Sequence, residues 1–494
     1  MPTRLIEIAE NLPRARVALV GDFMLDRYVF GSTERISPEA PVPVIHYHHE
    51  EYRLGGAGFV AAVLATLGAR VQPIGVVGRD EAGAEIRKRL GEFTGGDGLI
   101  EVADRPTVLK MRLLGSSHDR TPQQMLRLDF ENAAAIGDEA AEKLLEQAAA
   151  AMEGAAMLCL EDYDKGVLTP GVTRRLIELA RQREIPIIID PASLSDYTKY
   201  RGATALKLNR PETERATGMI VRTPEQCPAA AEKLLVTLEL EAVVITLNEL
   251  GAYLATRDGE RRLLATKPRE VADATGAGDV VLATMAMARA AGADWTDAVA
   301  LANIAGGLEV ERLGCVPITP QEIVQELLTE AHEHLGKQRS LEQLLPELQR
   351  HRAAGKRIVF TNGCFDLIHL GHIKYFQFAK GQGDLLVVAV NTDRSICRLK
   401  GPKRPIISED DRLSVLEELE SIDYVISFDE ETPMRLIDQI RPDVLVKGAD
   451  YKKEAVVGWE LVESYGGKVA LAPLVDGRST SAVIQRILEA YGSR

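Results

Sequence analysis

Cysteine is scarce in this chain. The five residues (Cys159, Cys227, Cys315, Cys364 and Cys397) are odd in number, widely scattered and without metal-type spacing. That excludes a disulfide framework and a cysteine-built zinc site, and predicts free thiols in a reducing cytoplasm. Long apolar runs are missing too. The longest uncharged stretch, Leu54 to Ala69, is too short and too rich in glycine to span a bilayer. The N-terminus shows no basic-then-apolar leader, so neither export nor a membrane anchor is expected. Positive charge is also in deficit: 59 Lys and Arg against 73 Asp and Glu leave a net charge of −14. A nucleic acid or an anionic membrane is thereby excluded as the main partner, while a local basic site for a phosphorylated metabolite is not.

What is present is an ordinary globular composition, 46% hydrophobic and 27% charged, over 494 residues, which is too long for one core and predicts two or three domains. Short β-rich runs recur with helical patterns between them. Arg16 to Val20 ends in Gly21-Asp22; Met157 to Leu160 leads into Glu161-Asp162-Tyr163-Asp164-Lys165-Gly166; Ile185 to Asp190 ends in Asp190-Pro191; Ala205 to Leu208 leads into Asn209-Arg210-Pro211-Glu212; Ala242 to Leu247 leads into Asn248-Glu249-Leu250-Gly251. This is the pattern of a doubly wound parallel α/β sheet with its ligand groups at the carboxyl ends of strands. Val42 to Tyr52, Thr107 to Leu114 and Met125 to Leu128 alternate in polarity and predict a small separate sheet.

The stretch Ala-Asp-Ala-Thr-Gly-Ala-Gly-Asp-Val (Ala272 to Val280) leads from an extended run into an apolar helix. Gly276, Ala277 and Gly278 then sit at a helix N-terminus, where free N–H groups and the helix dipole favour an anion. A carboxylate at such a place, Asp279, repels a phosphate unless it has chemistry to do, namely taking a proton from a hydroxyl that attacks a phosphoryl group. Taken alone, Gly-x-Gly-Asp fits a helix cap equally well.

The heptad Asp273 to Asp279 resembles the signature of the ribokinase-like (PfkB) sugar kinases. That resemblance implies ATP and Mg²⁺ as reactants, Asp279 as base and Gly276, Ala277 and Gly278 as an anion hole. It puts Asn209, Arg210, Pro211, Glu212, Thr246, Gly251 and Thr275 around ATP, with Glu212 reaching the metal. Asp22, Asp26, Gly55 and Gly56 are implied at the sugar, under a lid of the small-sheet strands that also makes a homodimer contact. Three basic lid residues, Lys110, Arg112 and Arg127, are candidates for a second phosphate on the sugar or are plain solvated charges. Relatives usually carry Asn where this chain has Phe59.

The kinase-like unit is expected over 1–318. Residues 319–352, rich in Glu, Gln and Leu, are expected as a helical linker, and 353–494 as a compact Rossmann-like domain. Its strands are predicted at Arg357 to Thr361, Leu385 to Asn391, Tyr424 to Phe428, Val444 to Lys447 and Lys468 to Ala472. The first turn holds His369-x-Gly-His372. Histidines three apart share one helical face, and two imidazole donors at a helix N-terminus suit charge growing on an α-phosphate. A zinc site would need a third ligand, and none lies nearby in sequence. The motif resembles the nucleotidylyltransferase superfamily, which implies catalytic His369 and His372. It also implies nucleotide contacts at Thr361, Asn362, Gly363, Phe365, Asp393, Lys447, Gly448, Asp450, Ser479, Thr480 and Ser481.

Both halves in this order resemble the family of bifunctional heptose 7-phosphate kinases and heptose 1-phosphate adenylyltransferases of lipopolysaccharide-core precursor synthesis. Arg127 to Glu131, Arg404 to Ile406 and Val446 to Tyr451 are further matches. The heptose and the choice of ATP over CTP come from the resemblance. The motifs alone are equally met by a hexose or pentose kinase joined to a cytidylyltransferase, or by a non-catalytic nucleotide sensor, although a sensor gains nothing evident from Asp279 and two imidazoles.

Overall fold

The computed structural model describes residues 2–12, 14–95, 98–116, 122–312, 314–449, 452–473 and 480–491. The chain divides into two compact units, Met1–Leu328 and Thr329–Arg494.

The strands of the first unit are β1 (Arg16–Gly21), β2 (Phe23–Ile36), β3 (Pro43–Gly56), β4 (Arg70–Gly78), β5 (Gly98–Val102), β6 (Val108–Ser116) and β7 (Gln123–Phe130). They continue with β8 (Met157–Glu161), β9 (Ile187–Asp190), β10 (Ala205–Asn209), β11 (Ala242–Thr246), β12 (Ala252–Thr256) and β13 (Arg261–Leu264). Nine make one sheet in the order β13-β12-β11-β10-β9-β8-β1-β4-β5. Its pairings are parallel up to β11, and the β12–β13 hairpin closes one edge antiparallel. Helices cover both faces, so β1 is apolar and buried from Val17 to Val20 and alternates between two cores: Val17 and Leu19 enter one, Ala18 and Val20 the other. The strand order reverses between β1 and β8, which places a crevice at their carboxyl ends.

The four remaining strands form a second sheet, β3-β2-β6-β7. This is the expected small sheet with one strand more than the sequence suggested. Phe23–Ile36, for which the sequence predicts no strand, is extended over its whole length and pairs with both β3 and β6. Asp26 therefore belongs to the lid, not to the carboxyl end of β1.

In the second unit β14 (Ile358–Gly363), β15 (Leu385–Asn391), β16 (Tyr424–Phe428), β17 (Val444–Gly448) and β18 (Lys468–Ala472) lie in the all-parallel order β16-β15-β14-β17-β18. The switch falls between β14 and β17, beside the His-x-Gly-His turn.

The segment 319–352 is helical but does not hang between domains. Ile323 and Leu327 of the helix Pro320–Leu335 are buried in the first unit's core. Leu344 and Leu348 of the helix Leu341–Ala353 are buried in the second unit's core. Leucines at helical spacing gave this stretch an apolar face, and an apolar face packs.

Candidate active sites

In the first unit the carboxyl ends of β1, β8, β9 and β10 deliver Asp22, Glu161, Asp190 and Asn209 to one rim, with Gly21 opposite Glu161 and Glu161 opposite Asp190 in register. The helix Ala277–Ala290 points its N-terminus at this rim. Its N-cap, Gly276, has φ +100° and provides no side-chain cap, so the first-turn amides are not capped by a side chain. A Cβ at Gly276 would lie 2.7 Å from the buried Phe59 ring, and one at Gly278 would lie 2.8 Å from Lys207 Nζ. Glycine is thus required at Gly276 by conformation and by the Phe59 ring, while at Gly278 a side chain would displace the Lys207 ammonium.

Asp279 is buried in the first helical turn, and Tyr163 donates its hydroxyl to Asp279 Oδ1 at 3.1 Å. Burial, then the neighbouring Asp190, pushes its carboxyl up to about 7, with Lys207 and Tyr163 opposing. One oxygen each of Glu161, Asp190 and Asp279 lies within 4.8 Å of the others, and Glu161 Oε2 has no hydrogen-bond partner. Burial also holds the Glu161 carboxyl well above its usual range. Lys207 pairs with Asp190 and is the counter-charge of this cluster.

Tyr163 is the hub that sequence reasoning did not single out. Its amide donates to Asp22 Oδ2 at 2.8 Å, its hydroxyl meets Asp279, and Lys110 Nζ sits 5.1 Å from its ring centre. Asp22 is pushed up to about 6 by burial and by Asp162, and its Oδ1 is without a partner. A Cβ at Gly56 would lie 2.7 Å from Asp22 O and one at Gly55 2.7 Å from Asp26 Oδ2, so both glycines let the lid's base approach the two aspartates. Asp26 itself is buried against Arg112.

Other expected positions serve local structure. Asn209 caps the helix Arg210–Thr217, accepting from the Glu212 amide, while both Glu212 oxygens accept from Asn209, at 2.8 Å from its amide and 2.7 Å from its side chain. The Asn-x-x-Glu spacing is that of a capping box, and in this arrangement Glu212 is engaged in the cap. Its carboxyl is nevertheless pushed up to about 7, by burial and by Asp190. Pro211 occupies the first turn and Arg210 donates to Leu247 O at 2.8 Å. Thr246 ends β11, Gly251 has φ +92° at the turn into β12, and Thr275 N–H donates to Asp273 Oδ1 at 2.9 Å. Arg127 lies on exposed β7 in a two-pronged pair with Asp129, both bonds 2.9 Å.

In the second unit His369 is the N-cap of the helix Leu370–Lys380, and the Gly371 amide donates to its Nδ1 at 3.1 Å. The His369 and His372 rings stack with centres 4.0 Å apart. His372 Nδ1 is buried without a partner, and burial, then His369 and Lys400, lowers its pKa to about 4. Around them Thr361 Oγ1 meets Tyr375 Oη at 2.5 Å, Lys447 Nζ donates to Asn362 O at 2.8 Å, and Asn362 Oδ1 is buried and unpartnered. Phe365, at φ +46°, packs its ring against Gly363 and edge-on to His372. Gly448 ends β17. Asp393 accepts from Arg412 Nη2 at 2.7 Å, and this fully buried arginine also donates to Cys364 O at 2.6 Å, tying Asp393 to the signature turn. Asp366 accepts from the amides of Ile406 and Ile407 and from Arg404, which hold its carboxyl below the usual range although burial opposes them. Neither Arg412 nor Asp366 was marked by the sequence. Asp450 and Ser479 lie outside the described residues; Thr480 and Ser481 open the helix Thr480–Tyr491, their side chains also outside.

The pfkB family carbohydrate kinase model matches residues 14–322, and the cytidylyltransferase-like model matches 360–485. The bifunctional protein HldE of Geobacter sulfurreducens is 47% identical over 478 residues, covering 96% of each chain. That of Methylobacillus flagellatus is 46% identical over 477, covering 95% of this chain and 96% of the relative. The chain belongs to the bifunctional HldE family. Like that family it joins a carbohydrate kinase to a nucleotidyltransferase, and it is an enzyme with both activities. The first unit of this chain has the fold of Arabidopsis thaliana ribokinase complexed with ribose and ATP, at TM-score 0.51 and 21% identity over 64% of this chain and 99% of that one. Escherichia coli phosphofructokinase-2 shares it at TM-score 0.53 and 17% identity, over 64% and 99%. Among the described residues no helix is long and apolar enough to cross a membrane.

Proposed function

We propose that the first unit transfers the γ-phosphoryl group of ATP to the C1 hydroxyl of D-glycero-β-D-manno-heptose 7-phosphate. After a separate phosphatase removes the 7-phosphate, the second unit joins AMP from ATP to heptose 1-phosphate, releasing pyrophosphate and ADP-heptose. The observation that carries the kinase step is the carboxylate of Asp279 at a helix N-terminus that no side chain caps, its pKa raised by burial to about 7. Such a group takes the hydroxyl proton at working pH while the amides of Gly276 to Gly278 receive the developing phosphoryl charge. Asp22 holds sugar hydroxyls from the end of β1, on the other side of Tyr163 from Asp279.

Mg²⁺ suits this donor set: three buried carboxylates in reach of one another, one oxygen orphaned, and a single lysine among them leave negative charge that ATP cannot approach without a divalent counterion. Glu161 and Asp190 would hold the ion, with Glu212 nearby. When bound, it neutralises phosphate charge during transfer. In the second unit His369 and His372 donate to the α-phosphate, and Lys447 lies at the adjacent strand end. The cytoplasm, as the compartment that holds ATP and sugar phosphates, is the proposed location. The lid is proposed as a homodimer contact, supported by exposed Met125, Leu126, Leu128 and Phe130 along β7.

The test is incubation with ATP, Mg²⁺ and heptose 7-phosphate, followed by mass spectrometry. A bisphosphate should form alone, and ADP-heptose only when the phosphatase is added. Equal turnover of hexoses, or CTP in place of ATP, would refute this substrate assignment.

A further inference from the structure

We propose that Tyr163 is the positioning residue of the kinase base: its hydroxyl engages one oxygen of Asp279 and leaves the other for the sugar hydroxyl, while its backbone amide holds Asp22 for the same sugar. The inference rests on the kinase reading above and deepens it by one residue.

Asp279 stands in the first turn of its helix, and among the described residues the Tyr163 hydroxyl is the only hydrogen-bond donor to its carboxyl, 3.1 Å from Oδ1. Lys207, the counter-charge of the cluster, is paired with Asp190. The last torsion of an aspartate is broad, with no sharp preference of its own. A general base nevertheless needs one oxygen within ~2.6–3.2 Å of the group whose proton it takes. With Oδ1 engaged by the phenol, Oδ2 is the oxygen turned to the substrate.

The same residue reaches the sugar side of the crevice through its main chain. The amides of Tyr163 and Lys165 both donate to Asp22 Oδ2, at 2.8 and 3.2 Å, and Asp22 Oδ1 is buried without a partner. Each of the two carboxylates therefore has one oxygen held by the Tyr163 turn, and the length of one tyrosine sets their spacing. The turn itself is fixed from outside the crevice. Asp162 accepts from the Asp164 amide at 2.9 Å and from the Tyr200 hydroxyl at 2.8 Å, and pairs with Lys199 at 2.6 Å. Arg105 donates to Lys165 O at 2.6 Å, and the Ile136 amide to Gly166 O at 3.0 Å. The ring is half-buried against the lid's base, where a Cβ on Gly56 would lie 3.3 Å from it. A hydroxyl carried on such a frame meets Asp279 in a preset place. Its bond is not a general need of buried phenols in this unit, since Tyr28, Tyr197 and Tyr253 bury their hydroxyls without a partner.

The experiment is a double-mutant cycle on the full chain with ATP, Mg²⁺ and heptose 7-phosphate: wild type, Tyr163→Phe, Asp279→Asn and the two combined. Phe keeps the ring and the amide to Asp22 and removes only the hydroxyl. Tyr163→Phe should lower kcat for ADP release ~10–100-fold, the scale set by misplacing a reacting group, with KM for sugar and ATP within a few-fold. On the Asp279→Asn background the same change should lower the residual rate by no more than about threefold, because no base remains to be positioned. A tyrosine that only packs, or that acts on the substrate directly, lowers the rate by the same factor in both backgrounds. Equal losses would therefore overturn the proposal, as would a wild-type kcat for Tyr163→Phe or a loss that falls on KM. Asp279→Asn alone separates this from the kinase reading. Kinase activity within a few-fold of wild type ends the base assignment and the role of Tyr163 with it, whereas a slowed Asp279→Asn beside an unimpaired Tyr163→Phe ends the proposal alone. If wild type phosphorylates another sugar instead, the substrate reading falls, and the cycle on that sugar decides the proposal in the same way.

Discussion

Replacing Asp279 by Asn should separate activity from stability in opposite directions. The amide keeps the shape and can still accept from the Tyr163 hydroxyl at Oδ1, but it cannot take a proton. Loss of a general base lowers the rate ~10²–10⁴-fold. Stability should move the other way, because the folded state holds the Asp279 carboxyl at about 7, well above the 3.8 of a free aspartate, through burial and then Asp190. Between those two values the folded state binds more protons than the unfolded one, so stability falls as pH rises through the window. Above it the wild type bears the whole penalty, on the order of a few kcal/mol at ~1.4 kcal/mol per unit. Asn carries no such penalty. The variant should melt a few degrees higher at pH 8, a gain that shrinks as pH falls toward 4. The assays are ADP release with heptose 7-phosphate, pyrophosphate release with heptose 1-phosphate, and melting at several pH values. Kinase activity within a few-fold of wild type, or a variant that melts lower at pH 8, would refute the reasoning.

In the second unit, His369→Ala or His372→Ala should lower adenylyl transfer ~10²–10³-fold with ATP binding little changed and kinase activity intact; early melting with normal turnover would make both residues structural. Because burial, then His369 and Lys400, lowers the His372 pKa to about 4, its ring stays neutral across the working range, and the NMR signals of the His372 ring should show no titration between about pH 6 and 8; a titration there contradicts that environment. A fragment of residues 336–494 should melt cooperatively and keep adenylyl transfer, whereas 350–494 should not, since it loses the buried Leu344 and Leu348, each worth ~2–5 kcal/mol in a core. Equal melting of the two fragments would show that the helix Leu341–Ala353 adds nothing to that core.

The sequence by itself determined the parallel strands and the two anion-binding turns, because both are local. A strand buried on two faces is an apolar run, so Leu385–Asn391 was legible to the residue, and the edge strand Tyr424–Phe428, broken only by the exposed Ser427, nearly as plainly. The turn before Asp279 was legible because Gly276 is required by its own backbone, at φ +100°, and by the close approach of Phe59. Tertiary structure decided what crosses the chain. β2 was hidden because its inward residues include Asp26, whose charge is balanced by a buried pair with Arg112 from another strand 86 residues on. Tyr163 became the hub through contacts with Asp22, 141 residues away, and Asp279, 116 away, which no spacing rule encodes. Asn-x-x-Glu could be read either as a ligand pair or as a cap, since both need the same spacing, and only the hydrogen bonds show Glu212 turned back onto Asn209. The lid's three cations looked alike in sequence. Which of them pairs with a carboxylate depends on what each finds across the sheet, a matter of register that only the folded chain supplies.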